Sequence, residues 1–224
     1  MSNLVIVAAG TGQPSTTRML ADRIAAASLE QLGELEVRAA LSAIEVAPLA
    51  VDVARASVTG VPSHELKAAI ERLAAADAVI AAAPVYKAGI SGLFKSFVDV
   101  LDEDLLIAKP VVLAATAGSP RHALVVDGEL RTLFAYMRAL GLPTSVFAAP
   151  EDWGAPELGE RIQRAANELA VVVQSRIEQS VADRSWSGYQ HTFAGNATRA
   201  EHAAADTDFD TPLMRLAAGG RATE

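Results

Sequence analysis

Residues 10–17 read Gly10-Thr11-Gly12-Gln13-Pro14-Ser15-Thr16-Thr17, two glycines and four hydroxyl side chains directly ahead of apolar residues at helical spacing. Glycines let backbone N–H groups approach a ligand closely, hydroxyls donate to its oxygens, and a helix start adds positive partial charge, so this run suits a phosphate. A second run, Pro84-Val85-Tyr86-Lys87-Ala88-Gly89, continued by Ile90-Ser91-Gly92, sets one aromatic and one cation between glycines. Tyr86 can lie against a flat heterocycle. A third, Thr116-Ala117-Gly118-Ser119 and on to His122, is small enough to offer backbone N–H groups to a ring edge.

The spelling of these runs excludes several rivals. A nucleotide triphosphatase loop needs Gly-Lys before a hydroxyl, and no Gly-Lys pair occurs in the chain. A dinucleotide loop wants a third glycine where Ser15 stands and an acid ending the second strand, whereas Ala39-Ala40-Leu41 is expected to close that strand. The histidines His64, His122, His191 and His202 lack metal-ligand spacing. Gly89-Ile90-Ser91-Gly92 is not a nucleophile elbow, which disfavours a hydrolase built on Ser91, His122 and Asp127. With no cysteine, thiol nucleophiles, dithiol relays and iron–sulfur ligation are also out, so any redox chemistry belongs to a bound cofactor.

The elements around these runs predict how they meet. Residues 4–9, 78–83 and 110–115 are short continuous apolar stretches that suit strands buried on both faces. Residues 35–41 and 144–149 read as two more strands. Helices are expected from Ser15 or Thr16 through Leu32, then over 64–76, 93–101, 130–140 and 157–181, while residues between the second strand and His64 give no clear pattern. Strands alternating with helices predict an α/β fold, a doubly wound five-stranded parallel sheet in the order 2-1-3-4-5. Ligands of such sheets bind beyond the carboxyl ends of the strands, where all three runs arrive. One phosphate cradle, one aromatic wall and one N–H-rich edge describe a site for flavin mononucleotide, FMN.

Composition sets the surroundings. Nineteen Lys plus Arg against 27 Asp plus Glu give a net charge of −8, which disfavours nucleic-acid binding. No apolar stretch is long enough for a membrane span and no basic leader precedes the first strand, so a cytoplasmic protein is expected. Residues 1–181 read as one domain and 182–224 as a C-terminal arm that could dock through Trp186, Tyr189, Phe193 and Leu213. The apolar Leu93, Phe94, Phe97 and Leu101 predict a homo-oligomer, a homodimer or homotetramer.

Pro84-Val85-Tyr86-Lys87 followed by Ser91-Gly92-Leu93-Phe94-Lys95, in a helix ending at Asp99, resembles a loop of the NADPH-dependent FMN reductases of flavodoxin-like fold. Thr116-Ala117-Gly118-Ser119 with His122 is similar to that family's third flavin loop, and the resemblance spans roughly residues 3–180. It implies hydride transfer from NADPH or NADH to FMN, with reduced flavin passed to a flavin-dependent monooxygenase or another small-molecule acceptor. By matching position, Thr11, Ser15, Thr16 and Thr17 would bind phosphate, with Gln13 beside them in the cofactor site. Pro84, Val85, Tyr86 and Lys87 would line the ring and ribityl chain, and Thr116, Ala117, Gly118 and Ser119 would meet the pyrimidine edge, with Tyr86 and Gly118 orienting the rings. Gln13 stands where many relatives carry arginine. An electron carrier of flavodoxin type, or a quinone, azo-dye or chromate reductase using bound FMN, are the other readings the sequence leaves open.

Overall fold

A computed structural model describes residues 1–186. The sheet is built on three strands whose side chains are buried on both faces, β1 (Ser2–Ala8), β3 (Ala78–Tyr86) and β5 (Pro110–Thr116). They run parallel, with β3 between the other two, so Ala8 pairs with Ala82 and Pro84 with Thr116. This register places the ends of all three strands at one edge. The helix α1 (Thr16–Glu34) packs on one face beside α6 (Pro156–Gln174), and α2 (Ala50–Thr59), α3 (His64–Ala74), α4 (Gly92–Asp99) and α5 (Arg131–Tyr136) complete the chain's other layer. Apolar clusters fill both faces of the sheet.

The expected order 2-1-3-4-5 is present once two additions are set aside. The observed path is β2-β1-β3-β5-β6, where β2 is Ala39–Glu45, with a two-residue strand β4 (Gly89–Ile90) folding back antiparallel on β3. The fifth position holds two short pieces, β6 (Leu140–Gly141) and β7 (Val146–Ala148), which pair with the beginning and end of β5. Pro143 lies between them and cannot donate to a ladder. The Arg131 guanidinium donates to the carbonyls of Leu142 and Pro143 at 2.9 and 3.2 Å, satisfying the interrupted strand from the side.

Four boundaries differ from the sequence reading. The third strand, expected over 78–83, runs on through Pro84 and Val85 to Tyr86, because Pro84 pairs with Thr116 and Tyr86 with Gly89. The second strand is β2 (Ala39–Glu45), four residues later than 35–41, because α1 runs on to Glu34 and a left-handed Glu36 (φ 58°) turns the chain. Pairing Ser2 with Ala39 and Ala8 with Glu45 then fixes its end. The helix expected over 130–140 is α5, entered through a π-helical turn at Val126–Leu130 and ended early because Leu140 is needed by the sheet. The helix expected over 157–181 breaks at Arg176 (φ 50°) into α6 and α7 (Ile177–Val181). Tyr189, Phe193 and Leu213, with the side chain of Trp186, lie outside the described residues.

The apolar side of α4 is spent inside the chain. Phe94 and Phe97 are fully buried and Leu101 nearly so, with the Phe94 and Phe134 rings 6.3 Å apart and Leu93 half-buried against the same cluster, so most of the surplus expected to drive assembly is not on the surface. Replacing Phe94 by alanine is expected to remove about 3–5 kcal/mol of folding stability in urea titrations, as for other buried aromatics. A loss below about 1 kcal/mol would return Phe94 to the surface.

Candidate functional site

The three loops leave β1, β3 and β5 at the same edge and are held there by a few hydrogen bonds. In the first loop Ser15 caps α1, its Oγ accepting from the Arg18 N–H at 3.2 Å. A Cβ at Gly10 would stand 1.9 Å from that Oγ, so glycine is required for the chain to fold back over the cap. Thr11, Gly12, Gln13, Pro14 and Thr16 are exposed, and the first turn of α1 carries no acid. The helix start is thereby left to an anion from outside. The loop borders a cavity of about 500 Å³ that extends to Arg18, Met19, Glu45 and Pro48.

Thr17 and Thr116, read from the sequence as ligand-facing, are turned toward each other. Both are buried, and their hydroxyls share a hydrogen bond of 2.7 Å. It ties the first turn of α1 to the end of β5, hence the first loop to the third. In the third loop Ala117 N–H is donated to the Ala148 carbonyl at 3.2 Å, and Ser119 caps a short turn over Pro120–His122. Gly118 is exposed, and a Cβ there would meet nothing within 4 Å.

The second loop is a tight hairpin. Tyr86 pairs with Gly89 across a two-residue turn, Lys87 and Ala88, both left-handed at φ 53° and 69°. That pair of dihedrals matches a type I′ turn, which favours Gly and Asn, so Lys and Ala each sit there at about 1–2 kcal/mol of strain. The turn projects Tyr86 outward from a strand whose Pro84 and Val85 are buried, leaving it 51% exposed. Its hydroxyl meets Thr11 Oγ1 at 3.2 Å, joining the second loop to the first.

One residue was missed. Because β2 ends at Glu45 rather than Leu41, the second strand does close on an acid, against the sequence expectation. Arg18 occupies it, with Nη1 2.5 Å from Glu45 and Nε 2.8 Å from Asp22. The dinucleotide reading now fails on the glycine criterion alone, since Ser15 is the cap where a third glycine would stand. Among the described residues no group of three or more His, Asp or Glu stands together as a metal site.

Comparison with known proteins agrees with this geometry. Residues 2–154 match the model of a family described as NADPH-dependent FMN reductase. The chain belongs to that family. It is accordingly an oxidoreductase that uses FMN and a reduced nicotinamide coenzyme. It is 36% identical over 180 residues to an FMN reductase (NADPH) of Pseudomonas aeruginosa, covering 78% of this chain and 94% of that one. An NADH-dependent FMN reductase, SfnF, of Pseudomonas fluorescens is 37% identical over 172 residues, 75% of this chain and 89% of its own. Among solved structures, an oxidoreductase from Corynebacterium diphtheriae superposes with a TM-score of 0.76 at 43% identity, covering 78% of this chain and 98% of that one. The apo form of the NADH:FMN oxidoreductase EmoB gives 0.68 at 25% identity, covering 76% and 89%.

The Thr17–Thr116 bond makes a direct prediction for this reductase. Valine at either position leaves the other hydroxyl buried without that partner, and should lower folding stability by about 1–3 kcal/mol. Valine at both removes the two polar groups together and should lower it by less than the sum, which thermal unfolding of the three variants measures.

Proposed function

We propose that this chain transfers hydride from NAD(P)H to FMN held across the three loops, and that the reduced flavin serves a flavin-dependent monooxygenase or a small-molecule acceptor. The observation that carries the reading is the meeting of an acid-free helix start, an outward aromatic and an open glycine loop at one sheet edge. When bound, FMN supplies the hydride acceptor, so the protein's own contribution is binding, orientation and electrostatics. Ser15 and Thr16 hydroxyls donate to the phosphate, with Thr11 and Gln13 beside them. Tyr86 walls the ring. The N–H groups of Gly118 and Ser119 face the pyrimidine edge, where charge develops on reduction, while the Ala117 N–H is held by the Ala148 carbonyl. Lys87, exposed at the hairpin tip, adds a cation at the rim. Thr17 and Thr116 act indirectly, by fixing the first loop against the third. No side-chain acid or nucleophile is required.

Among the described residues no helix is long and apolar enough to cross a membrane, in keeping with the cytoplasmic location that belongs to this proposal. So does self-association, for which support now comes from α2, where Val51 and Val58 are 77% and 87% exposed and seven residues apart on one face. A strict monomer in sedimentation at micromolar concentration would remove that element. The division at Val181 into an FMN-binding domain and a C-terminal arm is likewise part of the proposal.

Anaerobic NADPH and NADH oxidation should depend on FMN; a protein that binds FMN yet never oxidises either coenzyme would be an electron carrier instead. The phosphate assignment has its own test. Hydrogen bonds to a charged group contribute roughly 1.5–3 kcal/mol each, so alanine at both Ser15 and Thr16 should weaken FMN by about 100-fold while riboflavin, which lacks the phosphate, loses little. Parallel losses for both flavins would reduce Ser15 to a helix cap worth about 1 kcal/mol of folding stability.

A further inference from the structure

The hairpin that carries Tyr86 has a second tie, from a residue that no motif singled out. The π-helical turn at Val126–Leu130 presents Glu129, whose Oε2 accepts the Ile90 N–H at 2.9 Å. Ile90 is the strand residue opposite Val85, on the arm of the hairpin that returns from the turn. The fit between the two segments is close. A Cβ at Gly89 would come within 3.2 and 3.3 Å of the two carboxylate oxygens, so the hairpin lies close against this side chain. The turn holding Glu129 is itself anchored, since Asp127 accepts two hydrogen bonds from Arg131, which also grips the carbonyls of Leu142 and Pro143. The π-helical insertion falls in the segment that continues the third loop, and such insertions often mark functional sites.

We propose that Glu129 is a positioning residue for the ring wall: its carboxylate clamps the strained Tyr86–Gly89 hairpin in the orientation that receives the flavin ring. This rests on the FMN reading above and deepens it. The two left-handed residues of the turn give the hairpin a reason to relax elsewhere, and its own ladder spans two residue pairs and one further bond, from the Ser91 N–H to the Pro84 carbonyl at 2.9 Å. The hydrogen bond from Ile90 to Glu129 adds to these a tie between the returning arm and a neighbouring segment. If the competent orientation falls to about a tenth to a third of the population without the clamp, apparent affinity falls by the inverse, about 3–10-fold. The loss belongs to the ring side. FMN and riboflavin should lose the same factor, unlike the phosphate-side variants.

Flavin titrations followed by fluorescence, with thermal unfolding of each protein, test this. Glu129→Ala should weaken both flavins about 3–10-fold, whereas Glu129→Gln, which keeps an acceptor oxygen, should stay within about twofold of wild type. Because the clamp acts through Tyr86, the pair Glu129→Ala with Tyr86→Ala should lose little beyond Tyr86→Ala alone, whereas independent effects would add. Unchanged affinity in Glu129→Ala, equal losses in Glu129→Gln, or additivity with Tyr86→Ala each overturns the clamp while leaving the FMN reading intact. A wild type that binds neither flavin overturns the FMN reading and the clamp with it.

Discussion

The hydrogen bond between Thr17 and Thr116 is the interaction on which the rest of the site depends. It is buried and 2.7 Å long, and it joins the first turn of α1 to the last residue of β5. Backbone register brings these elements to one edge but does not set their separation. A small polar contact in a dry place does so firmly, because separating the two hydroxyls would leave both without the partner that offsets their burial. Two more exposed contacts build outward from it, Thr11 to Tyr86 and Ile90 to Glu129. Each pair of loops, first with third, first with second, second with the segment continuing the third, thus has its own tie.

This arrangement explains how a site can be assembled from residues that are individually ordinary. Ser15 is a helix cap, Gly118 an open loop position and Tyr86 an exposed aromatic. What gives them chemistry is their mutual placement around a helix start that carries no acid of its own. Arg18 is held by Asp22 and Glu45 beside that start, so its charge is balanced locally and the backbone and hydroxyls are left to receive an anion. Strain in the hairpin follows the same logic. Lys87 and Ala88 occupy left-handed dihedrals that neither residue favours, and the conformation persists because neighbouring segments hold it.

Much of this was legible in the sequence, and the rest was not for identifiable reasons. The runs 78–83 and 110–115 are unbroken and apolar because strands buried on both faces need nothing else, so the sheet and its order could be read directly. The edge strand β2 could not, since only one of its seven residues is buried and its register comes from β1. That shift hid Glu45. The loops were recognisable by their glycines and hydroxyls, which are local signals. The ties between them were not: Thr17 and Thr116 are 99 residues apart, Thr11 and Tyr86 75, and Ile90 and Glu129 39. No periodicity marks a threonine for a partner that distant, and the burial of Phe94 and Phe97 is likewise a property of packing that α4 alone did not disclose.

The central claim is that the three loops form one FMN site rather than three neighbouring turns. A crystal structure of the protein with FMN tests it most directly. The account predicts the phosphate within hydrogen-bond distance of the Ser15 and Thr16 hydroxyls, the ring against Tyr86, its pyrimidine edge on the N–H groups of Gly118 and Ser119, and the Thr17–Thr116 bond intact. A flavin bound away from this edge, or a Thr17 hydroxyl that leaves Thr116 to take the phosphate, would contradict it.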